Sequence, residues 1–224
     1  MNIFVSNKIN YQNVFTFQAM TRKLFLLVLL LSIFKISYSQ TNHYGLSIGT
    51  SASFMERGER ERYNTISSPK GPGFLISAFY NYKLNNYFGV VSNVSFNSRN
   101  VLEAPFTNIE GDEDFVKFNY LSITPLLKFD TNGNYNKGFY LKTGLSYEVL
   151  LNSKIKKENI DLSSAFKNSI AANFGYGVDF KKHIGIEMLF SYTLNNTLKY
   201  NDEISSNLLG IYLIMNVNIN DFLN

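Results

Sequence analysis

His43 and His183 are the only two histidines in the chain, and it has no cysteine. Acyl transfer or lipid hydrolysis needs an imidazole within hydrogen-bond reach of a serine and of a carboxylate or amide, and neither histidine sits in a pattern that supplies such a set. Without cysteine there is no disulfide framework, thiolate metal site or lipid-anchored N-terminal cysteine. The residues therefore point to a protein that is not an enzyme and carries no cofactor and no metal. Three charged runs remain. Glu110-Gly111-Asp112-Glu113-Asp114 offers carboxylate oxygens to divalent cations but lacks the ligand spacing of a Ca²⁺ loop, so it reads as a solvated acidic tip. Lys154, Lys156 and Lys157 could meet phosphates as point charges. Glu56 to Arg62 alternates in sign and reads as a self-paired, mobile loop. Five further charges, Lys128, Lys142, Glu148, Asp179 and Glu187, fall on the small-residue face of alternating segments, where they are expected to pair with one another.

Those segments organise the chain. Eight times, over 44–54, 74–83, 88–99, 116–129, 139–151, 170–180, 184–194 and 209–219, every second side chain is large and apolar while Gly, Ser, Ala, Asn or Thr fill the positions between. A period of two marks a strand with unlike faces. In the first, Tyr44, Leu46, Ile48, Ala52 and Phe54 alternate with Gly45, Ser47, Gly49, Ser51 and Ser53. The fourth presents Leu121, Ile123, Pro125, Leu127 and Phe129, although Phe118 and Tyr120 blur its parity. A soluble lipid carrier would point its bulky residues inward and show Lys and Glu outside. Here the second face is small and sparsely charged, which suits a narrow lumen. The expected fold is all-β: an eight-stranded antiparallel up-and-down transmembrane β-barrel, preceded by a cleavable signal helix.

The connections alternate too. Residues 84–87, 130–138 and 181–183 are short, whereas 55–73, 100–115, 152–169 and 195–208 are longer or more charged, which is the periplasmic and extracellular asymmetry of such barrels. At the short-turn end the outward strand termini are Tyr44, Tyr82, Phe88, Phe129, Phe139 and Phe180, six aromatics at one depth, as an interfacial girdle requires.

Residues 1–39 form the leader. Arg22 and Lys23 precede an apolar run, 24–34, and Ser37, Tyr38 and Ser39 follow it, so a Sec-type signal cleaved before Gln40 is expected, with the mature barrel over 40–224. Translation from Met20 would give a signal of conventional length. The leader also accounts for the overall charge of +4: four of the 21 cations (Lys8, Arg22, Lys23, Lys35) and none of the 17 acids precede Gln40, so the remainder is electroneutral. A neutral chain without a basic stripe is not a nucleic-acid binder.

The segment Tyr120-Leu121-Ser122-Ile123-Thr124-Pro125-Leu126-Leu127-Lys128-Phe129 resembles the proline-containing strand of the PorT-like outer-membrane β-barrel family of Bacteroidetes, with Thr124 inserted before the proline. Tyr120, Leu121, Ile123, Pro125, Leu127 and Lys128 carry the likeness. Phe139 to Gly144 and Leu189 to Asn196 are similar to two further family strands, with Leu194-Asn195 where Gly-Leu is usual, and the chain ends Asp221-Phe222-Leu223-Asn224 rather than on an aromatic. The resemblance implies an outer-membrane location. Three roles are open to such a chain. One is a structural or adhesion-type barrel whose loops contact lipopolysaccharide or a protein partner of the envelope; another is a membrane subunit of a secretion or gliding assembly; the third is a narrow small-solute channel.

Overall fold

The structure, a computed structural model, describes residues 42–59, 62–66, 69, 71–102, 115–155, 160–180, 184–199 and 204–219. The leader, the Glu110 to Asp114 run, Lys156, Lys157, His183 and the C-terminal residues 220–224 lie outside them. Ten strands follow one another: β1 (Asn42–Glu59), β2 (Arg62–Ile66), β3 (Gly73–Lys83), β4 (Phe88–Leu102), β5 (Phe115–Asp130), β6 (Gly138–Ile155), β7 (Ile160–Asp161), β8 (Ser169–Phe180), β9 (Ile184–Thr193) and β10 (Ile204–Asn218). Eight of them are staves in the order β1-β3-β4-β5-β6-β8-β9-β10, all antiparallel. β10 then pairs back onto β1 from Gly45↔Asn218 to Glu59↔Ile204, so the sheet closes as an eight-stranded barrel and the edge-pairing hazard of an open sheet is removed. β2 and β7 are short extensions paired to the long-connection ends of β1 and β6.

Several staves outrun the alternation in the sequence. β1 continues to Glu59 and β6 to Ile155, because backbone pairing persists where the apolar pattern stops. Outside residues 60–61, the alternating-sign run is accordingly paired strand rather than loop, with Arg57 opposite Thr65 and Glu59 opposite Arg62. In β5 the parity never breaks: Phe118 and Tyr120 are fully buried and point into the barrel, while Leu121, Ile123 and Leu127 are exposed on the outside. The register of β6 shifts by one residue opposite Asn119/Tyr120. This β-bulge moves the inward set from even positions such as Ser146 and Glu148 to odd ones, Ser153 and Ile155.

Pro125 sits in mid-stave without an N–H to donate. The β5–β6 register accordingly skips from Ile123↔Tyr147 to Leu126↔Gly144, and a side chain at Gly144 would collide with the Pro125 carbonyl. Two turns at the short end fall among the described residues. In 84–87, Asn85 accepts from the Tyr87 and Phe88 N–H groups at 2.8 Å each. In 131–137, Gly133 (φ 64°) and Asn136 (φ 61°) supply the left-handed positions.

The faces of the wall settle its polarity. Outward-facing Leu46, Ile76, Val94, Ile123, Leu145, Phe174 and Leu213 are each at least half exposed. Inward-facing Ser47, Ser77, Ser95, Ser122, Ser146 and Ser191 are buried. A continuous apolar belt of this size is not a water-facing surface; it is the lipid-facing band of an outer-membrane barrel.

Candidate functional site

The charged residues in the barrel form three groups, and the pleat decides which can meet. At the short-turn end Lys128 and Lys142 are register partners on β5 and β6 and both point inward. Two ammonium groups side by side need separate anions, and they have them. Lys142 Nζ lies 2.5 Å from Glu187 Oε2, which also accepts from Tyr140 Oη at 3.0 Å and Asn216 Nδ2 at 3.2 Å. Lys128 Nζ lies 2.6 Å from Asp179 Oδ2 and 3.4 Å from Asp130 Oδ1, and donates to Asn136 Oδ1 at 2.7 Å. The Tyr140 ring lies between the two lysines, 4.4 Å from Lys128 Nζ and 4.9 Å from Lys142 Nζ. Gly177 on β8 makes room for that ring: a β-carbon there would fall 2.6 Å from Tyr140 Cζ.

The turn 131–137 completes this end by folding inward. Asn136 is buried and takes a further hydrogen bond from Asn81 Nδ2 at 2.8 Å, and the Tyr135 hydroxyl donates to Asn81. Tyr135 fits beside Gly89, where any side chain would overlap its ring. Burial, and then the charges of Asp130 and Asp179, push the Tyr135 phenol well above its ordinary value.

The third group is nearer the long-connection end. Arg99, 1 % exposed, makes a fork with Glu148, Nη1 to Oε2 at 2.9 Å and Nη2 to Oε1 at 2.5 Å, and donates from Nε to Tyr212 Oη at 2.5 Å. The Tyr120 and Tyr212 rings lie 5.2 and 5.6 Å from its guanidinium carbon, a cation–π enclosure on two sides. Above this group the lumen is apolar. Val101, Val116, Phe118, Ile155, Phe166 and Leu208 pack together, with Phe166 reaching in from the 162–168 segment to meet Phe118 edge-on at 4.8 Å. Just before that segment, on β7, the Asp161 carboxylate accepts from both the hydroxyl and the N–H of Ser163, which hold it below its usual pKa.

Between the charged groups, Ser77, Ser95, Asn97, Thr124 and Ser146 help line a cavity of about 30 Å³, room for one or two waters. Among the described residues no cluster of three or more His, Asp or Glu could hold a metal ion. His43 lies on β1 at the short-turn end, opposite Asn81. Glu148, Glu187, Asp179, Lys128 and Lys142 thus lie inside the wall, each ion-paired: Glu148 with Arg99, Glu187 with Lys142 and Asp179 with Lys128. Arg99, Tyr140 and Tyr212, which sequence reading passed over, share the inward parity of Asn97, Lys142 and Ile214. Tyr135 and Asn136 lie in a turn, where no periodicity could have found them.

On the outside, Tyr44, Phe88, Phe139 and Phe180 are exposed and Tyr82 and Phe129 half-buried at the short-turn ends of their strands. Phe88 and Phe129 pack at 5.1 Å and Phe139 lies 6.4 Å from Tyr176. Of the proline-containing strand, Tyr120 and Lys128 are buried inside, whereas Leu121, Ile123, Pro125 and Leu127 face out.

The profile of the outer membrane protein beta-barrel domain family matches residues 38–199. No curated protein sequence matches the chain. Among solved structures, Neisserial surface protein A superposes with a TM-score of 0.50 at 11 % identity, covering 78 % of this chain and 97 % of that one. Ail of Yersinia pestis, solved in complex with the heparin analogue sucrose octasulfate, is 17 % identical and covers 80 % of this chain and 99 % of its own, with a TM-score of 0.44. At 11 % identity the likeness to Neisserial surface protein A is one of fold.

Proposed function

We propose that this chain, which belongs to the outer membrane protein beta-barrel domain family, is a non-enzymatic barrel of structural or adhesion type. Its long connections would face the cell exterior and contact lipopolysaccharide or a protein partner of the envelope. The observation that carries this reading is a lipid-facing apolar belt around an interior filled by ion pairs and capped by an apolar cluster. A filled eight-stranded barrel works at its rims, not through its axis. Lys154, exposed where β6 pairs with β7, supplies a cation at the outer rim for lipopolysaccharide phosphates. The small cavity argues against the channel role, and no feature of the wall favours a secretion or gliding subunit. Within the family, the strand around Pro125 supports a place among the PorT-like barrels of Bacteroidetes, and the leader supports export through a Sec-type signal.

Because the chain has no cysteine, single-cysteine labelling tests the orientation cleanly. An impermeant maleimide should label Lys199→Cys but not Asn134→Cys on intact cells, and both after lysis. The reverse pattern would overturn the assignment of the rims, and recovery of the protein in the soluble periplasm would overturn the membrane reading itself. Loss of lipopolysaccharide co-purification in Lys154→Glu, with folding intact, is the expected sign that the outer rim meets that lipid; unchanged co-purification would point to a protein partner instead.

A further inference from the structure

Along the β5–β6 ladder the outward pairs change character as they leave the apolar belt. Ile123 faces Tyr147 and Leu121 faces Val149; then come Asn119 with Asn152, and last Lys117 with Lys154. The two asparagines are locked together, Asn119 Nδ2 donating to Asn152 Oδ1 at 2.6 Å. The β-bulge opposite Asn119/Tyr120 creates the last two pairs. Before it the even residues of β6, Ser146 and Glu148, point inward; after it Ser153 and Ile155 do, so Asn152 and Lys154 turn to the outer face. Re-aiming a side chain is a recurrent use of a bulge. An unbroken β6 would point Lys154 into the lumen and leave Lys117 by itself.

Like charges directly opposite each other weaken a ladder unless an anion neutralises them. Among the described residues neither ammonium has a hydrogen bond or an ion pair. On one flank Asn100 of β4, opposite Lys117, gives its amide to the Pro72 carbonyl at 2.9 Å. On the other, Asp161 of β7 is opposite Lys154, but its carboxylate is taken up by the N–H and hydroxyl of Ser163. Four residues, about 13 Å along the strand, separate Lys117 from the exposed Leu121 in the belt. Apolar, then amide, then cationic is the sequence of surfaces that a phosphorylated glycolipid meets from its acyl chains to its headgroup. We infer that Lys117 and Lys154 together form a phosphate site for an outer-leaflet glycolipid of the lipopolysaccharide class, with an acyl chain of the same molecule lying over Leu121 and Ile123. The inference rests on the outer-rim reading above and deepens it, since Lys154 becomes one half of a site that the bulge assembles. A free anion or an acidic peptide would gain nothing from the apolar residues directly below the lysines, whereas a lipid engages both.

To test this, the full chain is folded into phosphatidylcholine vesicles doped with diphosphoryl lipid A and released in mild detergent, and the lipid it keeps is counted by native mass spectrometry. Gel mobility before heating checks that each variant is folded. The wild type should keep one lipid A per barrel. Lys117→Gln and Lys154→Gln should each lower that retention about fivefold, while Lys154→Arg should preserve it. Lys199→Gln, which removes an exposed cation elsewhere at the same end, should leave it unchanged. Fully dephosphorylated lipid A should be kept by the wild type no better than intact lipid A is kept by the double glutamine variant. Retention that ignores both glutamine substitutions, or falls equally in Lys199→Gln, would overturn the site while leaving lipopolysaccharide contact at the outer rim standing. A wild-type barrel that keeps no lipid A would overturn both. If retention then appeared on converting Glu110, Asp112, Glu113 and Asp114 to their amides, the chain's own acidic run would be the anion that holds the pair.

Discussion

Arg99 and Glu148 are a buried pair whose value depends on both being present. Removing the guanidinium leaves a carboxylate without water or counter-ion, so Arg99→Met is expected to cost about 3–5 kcal/mol of unfolding free energy, whereas Arg99→Met combined with Glu148→Met should recover most of the loss. Urea titration of the vesicle-folded barrel measures both, and equal costs for the single and double variants would show that the fork contributes nothing beyond packing. Tyr135 bears on pH. Its phenol has a higher pKa folded than unfolded, so the unfolded chain gives up that proton first. The stability contribution is therefore complete below the ordinary tyrosine value of about 10 and declines as pH rises past it. Tyr135→Phe should flatten part of the alkaline fall in stability, measured as urea midpoints at neutral and strongly alkaline pH.

Among the elements, the 131–137 turn and β5 show how local rules and barrel geometry divide the work. The turn needs Asn136 twice, for its φ of 61° and for the side chain that Lys128 and Asn81 both reach. Asn136→Gly keeps the first and loses the second; Asn136→Val loses both and should be the more destabilising by about 1–2 kcal/mol, and a reversed order of urea midpoints would remove the backbone half of this argument. On β5, adjacent positions face opposite solvents. Ile123→Lys places an ammonium in the apolar belt and is expected to cost about 2–4 kcal/mol if the residue lies near mid-membrane, while Ser122→Ala on the inner face should cost far less. Similar midpoints for the two would contradict the polarity of the wall.

Over the described residues the barrel is a closed cylinder whose axis holds the Lys128 and Lys142 groups and the inserted turn at one end, the Arg99 fork above them, and the apolar cap around Phe166 at the other. Planar bilayers containing the purified barrel should therefore show no discrete conductance steps; regular steps would restore the solute-channel role. The detergent-extracted protein should migrate faster on gels before heating than after, as closed barrels do, and a gel band unmoved by heating would count against closure. Sequencing the N-terminus of the exported protein should read from Gln40.

Much of this architecture could be read from residue order alone. Alternation with a period of two, bulky on one side and small on the other, determined eight staves, their polarity and the ends where short and long connections lie, because a pleated strand sorts its side chains by parity whatever its neighbours are. Parity also put Lys128, Lys142, Glu148, Asp179 and Glu187 on the inner face. It could not say who meets whom, since pairing depends on register and curvature across staves distant in sequence: only closure brings Arg99 of β4 to Glu148 of β6 and Tyr212 of β10. The turn that inserts Tyr135 and Asn136 and the apolar cap centred on Phe166 were likewise decided by the tertiary structure. Each arises where the chain leaves the regular ladder, and there the period of two carries no information.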